Sequence, residues 1–134
     1  MDRISAYLNS GYALGDPAKG FDCLNLFVDY YRAMGYQFPA SFGGIDESNY
    51  AELWTSDNQK AVSLYEDFLS SLGSPVDPAY FIRGDLLLFK AAQLRLFPAI
   101  ALGNGHMLIC GETGPVAVPF RPYRKYLIAV RRLF

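Results

Sequence analysis

Cys23 is the residue of this sequence best suited to chemistry. It follows a stretch rich in turn formers (Gly11, Gly15, Asp16, Pro17, Gly20) and precedes a run to Met34 that holds neither Gly nor Pro. Asp22 stands where a helix N-cap belongs, so the spacing predicts a helix that opens at Cys23 and stops at Gly35. At such a position the unpaired backbone N–H groups and the helix dipole stabilise a thiolate, the reactive form of a cysteine nucleophile. Between Phe21 and Leu24 the same residue also reads as a small buried apolar side chain. The only histidine, His106, lies one residue past the turn Gly103-Asn104-Gly105 and reads as an exposed hairpin-tip residue. Cys110, the second cysteine, reads as a core strand residue, with a Cys23–Cys110 disulfide not expected in a cytoplasmic protein. Two distant cysteines and one histidine have no metal-ligand spacing, so neither a metal nor another cofactor is expected.

The elements that would position these groups follow from periodicity. Ile4–Asn9 reads as a short helical run. In 23–34, Leu26, Phe27, Tyr30, Tyr31 and Met34 form the stripe of a helix buried on one side. Residues 36–46 read as loop, and Tyr50, Leu53 and Trp54 share one face of a short helix. Gln59–Leu72 is a clearer amphipathic helix, with Val62, Tyr65, Phe68, Leu69 and Leu72 on one side and Gly73 as its stop. After the turn Gly73-Ser74-Pro75 the pattern changes to strands: Asp85–Phe89, then Phe97–Leu102 and His106–Cys110 around a hairpin turn, then Val116–Val118 and Leu127–Leu133. Helices first and an antiparallel meander afterwards predict an α+β fold, with helices packed on a four- to six-stranded antiparallel sheet.

At 134 residues the chain reads as a single domain, 1–134, with enough length for a core. Hydrophobic residues are 51% and aromatic residues 16% of the sequence, which excludes a disordered segment and points to a dense core with a groove or interface. The formal net charge of −1 argues against a nucleic-acid binder. No apolar run is long enough to span a membrane. The start Met1-Asp2-Arg3-Ile4 lacks the basic-then-apolar pattern of a signal peptide, so synthesis in the cytoplasm is expected. Arg121, Arg124, Lys125, Arg131 and Arg132 crowd the C-terminal end, and no acid follows Glu112. Such a stretch reads either as a solvated sheet edge or as a patch facing an anionic partner or a glycan.

Four segments in order resemble the motifs of the NlpC-type cell-wall peptidases: Tyr12-Ala13-Leu14-Gly15, Gly20-Phe21-Asp22-Cys23, Gly84-Asp85-Leu86 and Ile100-Ala101-Leu102-Gly103-Asn104-Gly105. These enzymes are papain-like cysteine hydrolases that cut peptidoglycan stem peptides. The resemblance runs from Tyr12 to about Arg132, and the end of the chain looks most like members from phage and prophage tail modules. It implies the papain-like α+β fold, Cys23 at the nucleophile position, and Tyr12 and Asp22 beside the groove. It also implies where the catalytic pattern is broken. Phe97 stands where the family has its histidine base, Ile109 where it has the polar residue that orients that base, and Leu24-Asn25 where it usually has Ser-Gly. Neither a phenyl nor a butyl group accepts a proton. His106 does not replace the base: opposite Ile100 or Ala101, it would lie roughly 10–13 Å from Phe97 at about 3.3 Å per residue. The expectation is a degenerate member without hydrolase activity that acts in binding or assembly. Its expected partners are a peptidoglycan peptide or a tail or assembly protein, with incorporation into a phage-like particle. The alternative is an active cysteine hydrolase with Cys23 as nucleophile.

Overall fold

A computed structural model describes residues 3–15, 19–22, 24–90 and 96–134, and Cys23 lies outside them. The fold is α+β. The helices are α1 (Arg3–Leu8), α2 (Asn25–Ala33), α3 (Tyr50–Ser56) and α4 (Asn58–Ser71). The strands are β1 (Ser74–Val76), β2 (Leu86–Phe89), β3 (Phe97–Gly103), β4 (His106–Gly111), β5 (Gly114–Pro119) and β6 (Leu127–Arg132), with 3-10 turns at Pro78–Tyr80 and Arg121–Tyr126. All pairings are antiparallel and the strand order is β1-β6-β2-β3-β4-β5. No helix among the described residues is long and apolar enough to cross a membrane.

The alternation of side chains along each strand gives this sheet two apolar faces. Leu86, Leu88, Ile100 and Leu108 pack with Leu26, Phe27 and Tyr31 of α2 and Tyr65 and Leu69 of α4. Leu87, Phe89, Ala99, Ala101, Met107 and Val130 form a second cluster, covered by Phe120, Tyr123 and Tyr126 from the 3-10 turn before β6. A sheet covered on both faces explains why β2 is a continuous apolar run rather than an alternating one.

Several sequence expectations change in detail. Helix α2 ends at Ala33, so Met34 falls past the buried stripe and is 43% exposed, while Val28 is buried. Strand β1 (Ser74–Val76) was not expected, because Gly73-Ser74-Pro75 reads as a turn; Pro75 is tolerated there since β1 is an edge strand. The β3–β4 turn is tighter than expected: Asn104 and Gly105 both have positive φ (54° and 76°), and His106 pairs with Gly103 rather than with Ile100 or Ala101. The C-terminal cations also divide. Arg131 donates to the carbonyls of Leu72 (2.6 Å) and Gly73 (3.0 Å), closing the end of α4, and Arg132 pairs with Asp85. These two hold the fold together, and β6 lies inside the sheet rather than at its edge.

Tyr31 makes this packing sensitive to alkali. Its hydroxyl donates to the carbonyl of Gly84 (2.9 Å), and burial holds its phenol well above the ordinary value of 10.0. A group whose native pKa is raised contributes stability that is complete below its unfolded value and is lost as pH rises toward the native one. Stability should therefore fall above pH 10.0 as the unfolded chain ionises at Tyr31. Tyr31→Phe should cost about 1 kcal/mol at neutral pH by removing one hydrogen bond, and it should flatten the alkaline limb. Urea titrations of both proteins between neutral pH and pH 11 test this; parallel curves would refute the assignment.

Candidate functional site

The site is built around the carboxylate of Asp22, which is 1% exposed. It accepts from the backbone N–H groups of Leu24 (2.8 Å) and Asn25 (2.8 Å) at the start of α2 and from that of Gly15 (2.7 Å) in the preceding loop. Among the described residues, the Tyr50 hydroxyl, at the start of α3, is its fourth donor. The N–H of Asp22 in turn donates to Asn25 Oδ1 (2.7 Å), so the two residues cap the helix reciprocally. One buried carboxylate thus joins α2, α3 and the 12–15 loop.

The same loop is held against the sheet by close backbone approach. A Cβ at Gly20 would lie 2.5 Å from the Gly11 carbonyl oxygen, and one at Gly114 would lie 2.8 Å from the Gly11 carbonyl carbon. Both positions therefore need glycine. This contact, with the Phe21 N–H donating to Gly11 (2.8 Å), carries Tyr12 to the rim of a groove.

The groove has a volume of about 860 Å³, within the range of sites that enclose small molecules or peptide side chains. Leu24 and Val28 of α2, Trp54 of α3, and Leu64, Tyr65 and Phe68 of α4 line it. The 38–48 loop closes one side. Its Phe42–Ile45 bridge turns on Gly43 and Gly44, both at positive φ (60° and 83°), and Phe38 and Phe42 make ring contacts with Phe68. Tyr12 and Leu14 form one rim, with Cys110, Gly111 and Glu112 contributing from the end of β4 and the turn after it.

Of the expected site residues, the groove brings together Tyr12 and Asp22 but not Phe97 or Ile109. Phe97 stacks on Phe89 (5.0 Å between ring centres) and meets Tyr123 edge-on. Ile109 packs in that same second cluster. Both lie on the sheet face opposite α2, because β3 and β4 turn Ile100, Leu108 and Cys110 toward the helices and every other residue away. Cys23 lies outside the described residues, although both of its sequence neighbours line the groove. The described part of α2 begins at Asn25, against the expected opening at Cys23.

His106 stays at the hairpin tip, exposed, with Nδ1 3.0 Å from the Asn104 carbonyl. Cys110 differs from its expected role. Half-buried, it is a groove residue whose thiol donates to the carbonyl of Phe21 (3.3 Å). The alternation of β4 carried that signal: with Leu108 in the core, Cys110 shares its face. Tyr50 and Trp54 were read only as a helix face, and nothing in their spacing singled out a groove.

The groove's charge is predominantly negative: Asp22, Asp46, Glu47 and Glu112 against Arg32, which pairs with Glu47. The Ser48 hydroxyl and backbone N–H donate to Asp46 and hold its carboxyl below the ordinary carboxylate range. Among the described residues no cluster of His, Cys, Asp and Glu is placed to hold a metal ion. The arrangement offers apolar and aromatic surface with a carboxylate rim, suited to binding. Comparison of the sequence with protein-family models and with curated proteins finds no match.

Proposed function

We propose that this chain is a non-hydrolytic binding protein built on an NlpC-like, papain-type plan, with the 860 Å³ groove as its working surface. One observation carries the reading. The side chains at the expected base and orienting positions, Phe97 and Ile109, lie on the far face of the sheet in an apolar cluster, away from the groove. Proton transfer of the kind a histidine base supplies is worth about 10²–10⁴-fold in rate. Losing that base takes from a papain-type thiol its usual activator and the proton donor for the departing amine. The groove's aromatic wall then serves for binding, with a peptidoglycan peptide or a protein of a tail-like assembly as the candidate partners.

Trp54, the only tryptophan of the sequence, lines the groove and reports on its occupancy. Two measurements on the purified protein test the proposal. Incubation with peptidoglycan stem peptides should give no cleavage above background. Titration with an apolar dye such as anilinonaphthalene sulfonate should change Trp54 emission, and Leu64→Glu should remove that response. Phe97→His should restore no activity, because the new ring faces away from the groove. Turnover of a stem peptide that disappears in Cys23→Ala would overturn the proposal in favour of a working cysteine hydrolase. That second reading draws on the groove-lining positions of Asp22 and Leu24, the neighbours of Cys23.

A further inference from the structure

The C-terminal cations not used by the fold stand together. Arg131 and Arg132 are engaged by Leu72, Gly73 and Asp85, but Arg121, Arg124 and Lys125 are exposed on the 3-10 turn Arg121–Tyr126. Among the described residues none of the three has an ion-pair partner, and Lys125 lies over the ring of Tyr126 at 5.1 Å. This turn covers the second apolar cluster, so it sits on the sheet face opposite the groove. The molecule therefore has a cationic ridge on one side and, on the other, an aromatic groove where, among the described residues, Asp46, Glu47 and Glu112 outnumber the Arg32 guanidinium.

We propose that the ridge Arg121–Tyr126 of one copy docks at the groove of a second copy, a step that rests on the groove being the working surface. The two surfaces are complementary in chemistry. Carboxylates at the rim attract the cations, and the aromatic wall suits guanidinium planes and the apolar stems of long basic side chains. Since the sheet separates the two surfaces, they meet only between chains. The resulting contact joins unlike patches, and its repetition gives a ring or a filament rather than a symmetric dimer. A six-residue ridge is small beside a standard interface of about 800 Å² per partner, so the association is weak and depends on charge.

Sedimentation velocity over a concentration series tests it. The protein should self-associate at about 50 mM salt and dissociate at about 500 mM, where charges more than a few ångströms apart are screened. The association constant should fall at least about tenfold across that range. Arg124→Glu with Lys125→Glu should abolish association, as should Glu47→Lys with Glu112→Lys. All four residues are exposed, so the variants should fold. The four changes combined in one chain should restore association, because the charges are exchanged. A protein that stays monomeric at low salt, or association unaffected by either pair of reversals, would overturn the proposal. If the dye still shifts Trp54 emission in such a monomer, the groove reading stands and only self-docking falls. Absence of both responses removes both.

Discussion

Arg132→Met should be among the most destabilising single substitutions in this chain. Asp85 is fully buried, and its two oxygens accept from Arg132 Nε and Nη2 at 2.8 Å each in a bidentate pair. The same carboxylate accepts from the Ile82 N–H (2.9 Å), which ties the turn before β2 to the end of β6. Removing the guanidinium strands an uncompensated charge at Asp85, a defect that costs about 3–5 kcal/mol. The melting temperature should fall by roughly 10–20 °C for a chain of this size. The reverse change should cost less. In Asp85→Asn the amide oxygen still accepts from Ile82, and the Arg132 side chain, 32% exposed, reaches water. Replacing both residues together (Asp85→Leu with Arg132→Met) should recover much of the loss, because a buried ion pair owes its retention more to the penalty for breaking it than to its net strength. Urea denaturation of Arg132→Met, Asp85→Leu and the double variant closes the cycle, with Asp85→Asn measured beside them. A loss in Arg132→Met no larger than that in Asp85→Asn would show that Asp85 is rehydrated, contrary to this account.

The contrast between Arg132 and Arg124 shows what the sequence could reveal and what it could not. Both belong to one run of cations, and composition gives them the same reading. Their difference is tertiary: β6 inserts between β1 and β2, which brings Arg132 to Asp85, a residue 47 positions away. Local signals fared better. The period of α2 and α4, the glycine stops at Gly35 and Gly73, and the Gly103-Asn104-Gly105 turn depend on neighbours along the chain, and each produced an element close to its expected place. The same holds for Asp22, whose capping role follows from its position three residues before Asn25. The facing of Phe97 and Ile109 did not follow, because a one-residue shift in strand alignment moves a side chain to the other side of the sheet. A groove was expected, but most of its lining escaped notice for a different reason. Its wall is assembled from α2, α3, α4 and the 38–48 loop, and an aromatic residue that lines a groove has the same local pattern as one that fills a core.

Asp22→Ala should damage both the fold and the groove, and the two effects have separate readouts. The substitution leaves the N–H groups of Gly15, Leu24 and Asn25 and the hydroxyl of Tyr50 without their shared acceptor in a buried place. Loss of a helix cap alone costs about 0.5–2 kcal/mol, and each additional buried donor left unsatisfied adds about 1–3 kcal/mol. Water entering the vacated space recovers part of this, so a net loss of about 3–4 kcal/mol is expected. Tyr50→Phe removes one donor and leaves the carboxylate with the backbone N–H groups of Gly15, Leu24 and Asn25, so its cost should be about 1.5–3 kcal/mol. Asp22→Asn should fall between them, since its amide group offers one acceptor oxygen and places an NH₂ against N–H donors. The groove separates this account from simple destabilisation. Tyr50 begins α3, the helix that carries Trp54 to the groove wall, so releasing Tyr50 should loosen the contact between Trp54 and Tyr65, now 6.0 Å between ring centres. In Asp22→Ala and Tyr50→Phe alike, Trp54 emission should shift to longer wavelength in the folded protein, well below the unfolding transition. A variant of equal stability loss on the far face, such as Met107→Ala, should leave that emission unchanged. Equal shifts in all three variants would mean that the emission follows global stability, and Asp22 would then be a helix cap with no part in shaping the groove.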